Sequence, residues 1–416
     1  MAEASTTSAT NGDIAGGEPP PIKFKVQPFD IDFHANESHI AIGLITGSAF
    51  VYRYDQAKNS KVAVLKNHTE SCRSVRFTPD GNGLLTGSAD HSICIVDLQN
   101  GGTNIRKVPQ AHDYAINKLF FVDANTLASG DDEGVIKVWD TRQQTLICQF
   151  HENADYISDM AFHKDSNMLL ATSGDGTLAV YDLRRRKLEA LSDHQDDELL
   201  SIQLMKNGRK VVCGMQEGVL GIFSWGYFGD VSDRFPGHPS SVDTMVRLSE
   251  DILCTGSSDG IIRLVNIQPN KIVGVIGEHS ELPIERLALS KDGKLLGSCS
   301  HDNTVRFWNL EHVFDSDEAE EEEEAVDVKE QEAMVQPSAE DSMETEPTGA
   351  SHNGTDSVGQ SMAIDNSDSD SSDDSEGGGA AEGGSLSVTR SRRKGKGKMN
   401  GPPATMKNRN NFFADL

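Results

Sequence analysis

The chain has 416 residues, with 38 Lys and Arg against 65 Asp and Glu and a formal charge of −27. Apolar residues make up 36% and aromatic residues 6%, which is low for a chain folded throughout. There is no long apolar run to span a membrane, and the polar N-terminus lacks the basic start and apolar stretch of a secretory signal.

The charge is unevenly spread. Residues 315–376 hold 22 acids and one base (Lys329), residues 377–416 hold two acids and eight bases, and −12 is left for residues 1–314. One folded body is expected over 22–312, after a disordered stretch at 1–21 and before a disordered tail.

In chain order, residues 22–26 (IKFKV) alternate like a short strand. Seven strand-like runs follow: VYRYD, ICIVD, IKVWD, LAVYD, LGIFS, IRLVN and VRFWN, ending at Asp55, Asp97, Asp140, Asp182, Ser224, Asn266 and Asn309. Their spacing is 42 or 43 residues throughout. Such a period marks a repeat architecture. Histidines 68, 112, 151, 194, 238 and 279 precede the first strand of a unit. Asp90, Glu133, Asp175, Glu217, Asp259 and Asp302 lie six residues before the aromatic or apolar position. Alternating runs bounded by Gly, Asp and Ser fill each unit with strand, turn, strand. Residues 22–26 are expected to supply the outer strand of the last unit, beside residues 305–308, and so latch a ring.

Residues 313–389 are acidic and rich in Ser and Gly. They cannot offset the entropy of ordering. Residues 390–416 reverse the sign, and Arg390, Arg392, Arg393, Lys394, Lys396 and Lys398 form a candidate nuclear or nucleolar targeting cluster. The same cluster offers a route to direct RNA contact. The six cysteines are widely spaced with no C-x-x-C pair, so buried, reduced thiols are expected.

No enzyme site is expected. The string GSSDG at 256–260 fits G-x-S-x-G, but it falls where other units place a hairpin turn, and the hydrolase elbow needs a strand-to-helix turn. No metal, cofactor or small-molecule substrate is implied. The segment 224–238 is rich in turn residues and holds Trp225, Tyr227 and Phe228, which form either a candidate partner hot spot or a cluster packed over the edge of its unit.

These marks resemble the WD-repeat family over about residues 22–310. The resemblance implies an all-β fold: a seven-bladed WD40 β-propeller of four-stranded blades, followed by a disordered acidic-then-basic C-terminal tail. It also implies a buried hydrogen-bonded network of loop His, strand Ser or Thr, turn Asp and strand Trp. In the last blade these are His279, Ser298 or Ser300, Asp302 and Trp308. The first blade lacks the His and the Asp.

Two further strings, WDTR at 139–142 and YDLR at 181–184, resemble the box of WD-repeat substrate receptors for cullin-4 ubiquitin ligases. The likeness makes Trp139, Asp140, Arg142, Tyr181, Asp182 and Arg184 candidate adaptor-binding residues. Strings such as LLTGSADHSICIVDL and SDRFPGHPSSVDTM are similar to the WD repeat-containing protein 55 family. That likeness implies a nuclear, nucleolus-enriched scaffold, present also in the cytoplasm, that supports ribosomal RNA processing through pre-ribosomal protein partners.

Overall fold

The computed structural model describes residues 17–99 and 104–311. The tail, with its targeting cluster, lies outside the described residues, as does the separate unit at 338–416. Twenty-eight strands form seven antiparallel four-stranded sheets. They span 28–66, 72–108, 116–150, 157–191, 199–236 and 242–278, and the seventh joins 284–309 to 22–23. We number them blades 1 to 7.

The first strands of neighbouring blades pack on one another all the way round, blade 7 against blade 1 included. They therefore surround the axis of a seven-bladed β-propeller. Second strands such as Met168–Ser173 and Ile252–Ser257 are buried on both faces, because each blade is covered by a neighbour on each side. Outer strands such as Lys187–Leu191 alternate between exposed and half-buried residues. The cores accordingly lie between blades. Leu170, Leu178 and Val180 of blade 4 meet Leu199, Val211 and Phe223 of blade 5.

The meander gives the ring two chemically distinct faces. Turns between first and second strands, and between third and outer strands, lie on one face, here called lower. Turns between second and third strands, and the loops between blades, lie on the upper face. On the upper face the backbone of the loop closes over a hairpin residue at positive φ, a glycine in five blades, His91 in blade 2 and Asn303 in blade 7. Gly134 and Gly176 sit at φ +78°, and a Cβ would stand 2.5 Å from the carbonyl oxygen of Asn153 and 2.7 Å from that of Gln195. Both positions need glycine for conformation and for space.

The ring is fastened by residues 22 and 23. Ile22 pairs with Val305 and Lys23 with Thr304, and the Phe24 amide donates to the Asn303 carbonyl at 2.9 Å. The pairing is shorter than the five residues read from the sequence. Phe24 leaves the sheet to set its ring edge-on to Phe50 and Tyr52 of blade 1, at 5.6 and 6.1 Å, and the chain must turn to begin blade 1 at Pro28. Ile22 is buried with Val305, Phe307 and Ile31, so the seam between last and first blade is a core like the others.

Candidate interaction faces

Polar relays hold the upper loops to the blades. In blade 7 the Trp308 indole N–H donates to Ser298 Oγ at 2.7 Å. Ser298 Oγ lies 2.6 Å from His279 Nε2, and His279 Nδ1 lies 2.9 Å from Asp302 Oδ2. One proton pattern satisfies all four groups: indole to hydroxyl, hydroxyl to Nε2, Nδ1–H to carboxylate. Blade 3 repeats it with Trp139, Ser129, His112 and Asp131, at 2.8, 2.6 and 2.8 Å. Burial lowers the pKa of both histidines against the pull of their carboxylates, which keeps them neutral donor–acceptors. Blade 2 keeps His68, Thr86 and Asp90 but has Val96 in place of the aromatic residue.

Four sequence marks are corrected. In blade 3 the acid that meets the histidine is Asp131; Glu133 is exposed, because the hairpin places it two residues out on the turn. In blade 4 His151 is exposed and Asn153 takes the buried position, donating to Thr177 Oγ1 at 3.0 Å and accepting from the Tyr181 hydroxyl at 2.9 Å. In blade 5 His194 is exposed and Gln195 occupies that position, its amide bonded to Gly176 O as the amides of His238 and His279 bond Gly218 and Gly260. The buried member is the residue that closes over the hairpin turn, and a nearby histidine on the same loop does not substitute. Glu217 of blade 5 is likewise exposed.

Blade 6 is incomplete. His238 Nε2 lies 2.8 Å from Thr255 Oγ1, but Nδ1 is buried without a partner, since Arg263 holds both oxygens of Asp259 at 2.6 and 3.1 Å. Burial, reinforced by Arg263, pushes the His238 pKa down to about 4.

A charge cluster spans the axis and was missed in the sequence. Asp30 Oδ2 accepts from Arg76 at 2.6 Å and from the Val75 amide at 2.8 Å. Arg286 of blade 7 pairs with Asp30 of blade 1 at 3.5 Å and with Asp159 of blade 4 at 3.3 Å. Lys118 holds the other oxygen of Asp159 at 3.0 Å. Burial lowers the Lys118 pKa to about 8 and raises that of Asp32 to about 6. The available signal was charge on inner strands, as in PFDIDF and IERLAL, where alternation aims side chains at the axis.

On the lower face the two WDxR-like strings divide into parts. Trp139 belongs to its relay and Tyr181 is wholly buried, stacked 4.3 Å from Phe150. Asp140 and Asp182 cap their turns by accepting the amides of Arg142 and Arg184, at 2.9 and 2.8 Å. Arg142 and Arg184 are the exposed members. Arg142, 66% exposed and 3.3 Å from Asp140, borders an open groove of about 490 Å³ between blades 2 and 3.

The aromatic segment of blade 5 does not form one exposed hot spot. Phe228 is buried in the core between blades 4 and 5, and Trp225 stacks on His163 at 3.9 Å and edge-on to Phe228 at 5.2 Å. Apolar rings at a blade seam gain more by packing than by facing water. Tyr227, between them, is 79% exposed.

Among the described residues no group of three His, Cys, Asp or Glu could hold a metal. All six cysteines are free, and five are buried; burial raises Cys94 to about 11, far from a reactive thiolate. Ser257 and Ser258 of GSSDG end a second strand and begin its hairpin turn, and Ser258 donates to Asp243 at 2.7 Å.

Closed four-stranded blades tied by His–Ser–Trp relays define a WD-repeat propeller, a class that presents loop faces to protein partners. A family model described as WDR55 matches residues 19–313. WD repeat-containing protein 55 of Arabidopsis thaliana is 42% identical over 289 residues, 69% of this chain and 81% of that protein. The Dictyostelium discoideum homolog is 37% identical over 75% of each chain, and the human protein 36% identical over 67% of this chain and 73% of its own. The chain belongs to the WD repeat-containing protein 55 family.

Proposed function

We propose that this protein is a non-enzymatic interaction scaffold in the nucleus, enriched in the nucleolus, that supports ribosomal RNA processing and ribosome biogenesis. The observation that carries the reading is the match of the whole propeller to the WDR55 family, whose resemblance implies the role. The charge reversal after residue 376 supports the address. Depletion is expected to accumulate precursor ribosomal RNA, read on a precursor blot; an unchanged profile refutes the role. Residues 385–416 fused to a reporter should draw it into the nucleus.

A second reading is a substrate receptor for a cullin-4 ligase. It is favoured by Arg142 and Arg184, exposed on the lower face of adjacent blades. A planar guanidinium fork suits such an interface. Arg142→Ala with Arg184→Ala should abolish co-purification of the adaptor; undiminished recovery removes this reading.

A further inference from the structure

The lower face of blades 4 and 5 carries four cations without a carboxylate partner among the described residues, although Arg209 Nε donates to the Lys206 carbonyl at 3.0 Å. Arg184 and Arg186 lie on the third turn of blade 4, Lys164 on its first, and Arg209 on the first turn of blade 5. All four are exposed, and none has a carboxylate at ion-pair distance among the described residues, whereas their neighbours Arg185, Lys187 and Lys206 are paired with Asp182, Glu189 and Asp251. The upper face of blades 3 to 5 has the opposite character, with Asp132, Glu133, Asp155, Asp175, Asp197 and Glu217. A polyanion is repelled from one face and drawn to the other.

An aromatic platform stands beside these cations. Trp225 stacks on His163, next to Lys164, and its amide donates to Arg209 O at 2.9 Å. Phe228 is buried as an anchor, so Tyr227 is held outward at 79% exposure. With its backbone held by the buried Phe228 and by the Tyr227 amide's hydrogen bond to the Ser224 carbonyl at 2.9 Å, the exposed ring has only its side-chain freedom to lose when a planar partner stacks on it. An acidic peptide has charge but no such planar faces; an unpaired nucleotide strand has both.

We propose that this face binds single-stranded RNA, with Lys164, Arg184, Arg186 and Arg209 on phosphates and Tyr227 stacked on a base. The proposal goes beyond a scaffold that works by protein contacts alone, and it needs neither the targeting cluster nor the adaptor contact. The test uses the full chain with all eight bases of residues 377–416 changed to Ser, so that the tail contributes no cationic binding. Anisotropy of a labelled oligouridine is measured against salt. Lys164→Glu with Arg186→Glu, which spares Arg142 and Arg184, should weaken binding about tenfold or more and flatten the log–log salt slope by about 0.7 for each phosphate no longer neutralised. Tyr227→Ala should weaken it by roughly tenfold. Unchanged affinity in the charge variant overturns the proposal. So does an oligoglutamate peptide that competes equally well while Tyr227→Ala has no effect, which would assign the face to an acidic protein. Precursor processing could persist after either failure, so the proposed role is judged separately.

Discussion

The ring holds two kinds of buried polar structure, and they are satisfied differently. In the relays of blades 3 and 7 the indole donates, the serine and the histidine each donate and accept, the carboxylate accepts, and the histidine stays neutral. Along the axis, full charges from five blades neutralise one another, and Asp30 Oδ1 is left with no hydrogen bond, only an ion pair to Arg286 at 3.5 Å. The relays are local to one blade and its loop. The axial cluster joins blades far apart in sequence, Arg286 and Asp159 being 127 residues apart. The difference suggests that relays fix individual loops while the axial charges report on closure of the whole ring.

The largest effect is expected at the bridge. Arg286→Met strips Asp30 and Asp159 of their shared cation and leaves buried charge undercompensated. A broken buried pair costs about 3–5 kcal/mol. Urea unfolding should show that loss in a single cooperative transition. A change below about 1 kcal/mol would mean that the axial charges are solvated and brace nothing.

Much of the fold was legible because the mark that repeats, the end of the third strand, lies in the most regular part of each blade. The relay was legible where histidine, acid and tryptophan coincide, as at His279, Asp302 and Trp308. It was misplaced at His151, His194 and Glu133 because adjacent polar residues look alike in sequence, and only the backbone crossing over Gly134 or Gly176 decides which one turns inward. The axial cluster escaped because a repeat is read one blade at a time, whereas Asp30, Arg286 and Asp159 meet only when the ring closes. Which rings of the blade 5 segment pack and which stay exposed was open for the same reason: the seam that covers Phe228 and Trp225 belongs to the neighbouring blade.

A smaller effect separates a complete relay from an incomplete one. His112→Ala leaves Asp131 and Ser129 without their buried partner, and the loss should be about 3 kcal/mol. His238→Ala removes one hydrogen bond to Thr255 and a ring nitrogen that was already unpaired, so about 1 kcal/mol is expected. Thermal unfolding of the two variants side by side checks the ranking. Equal losses would mean that histidine packing, and not relay completeness, sets the cost.

The last effect has a size that depends on pH. Asp32 lies between Asp30 and the Phe77 amide, which donates to its Oδ2 at 2.7 Å. Burial raises its pKa from 3.8 to about 6, against the opposing pull of Arg76. A carboxyl raised in the folded state favours folding while it is protonated. That advantage is complete below pH 3.8 and is lost as pH rises through about 6, so at neutral pH the ring carries the cost of an ionised Asp32. Asp32→Asn keeps an oxygen for the Phe77 amide and removes the charge. It should raise stability at about pH 7.5 by ~2 kcal/mol and give almost nothing near pH 4. Urea unfolding of variant and parent at both pH values reads the difference directly. A loss at neutral pH would show that Asp32 is needed as an anion by Arg76 or Arg286.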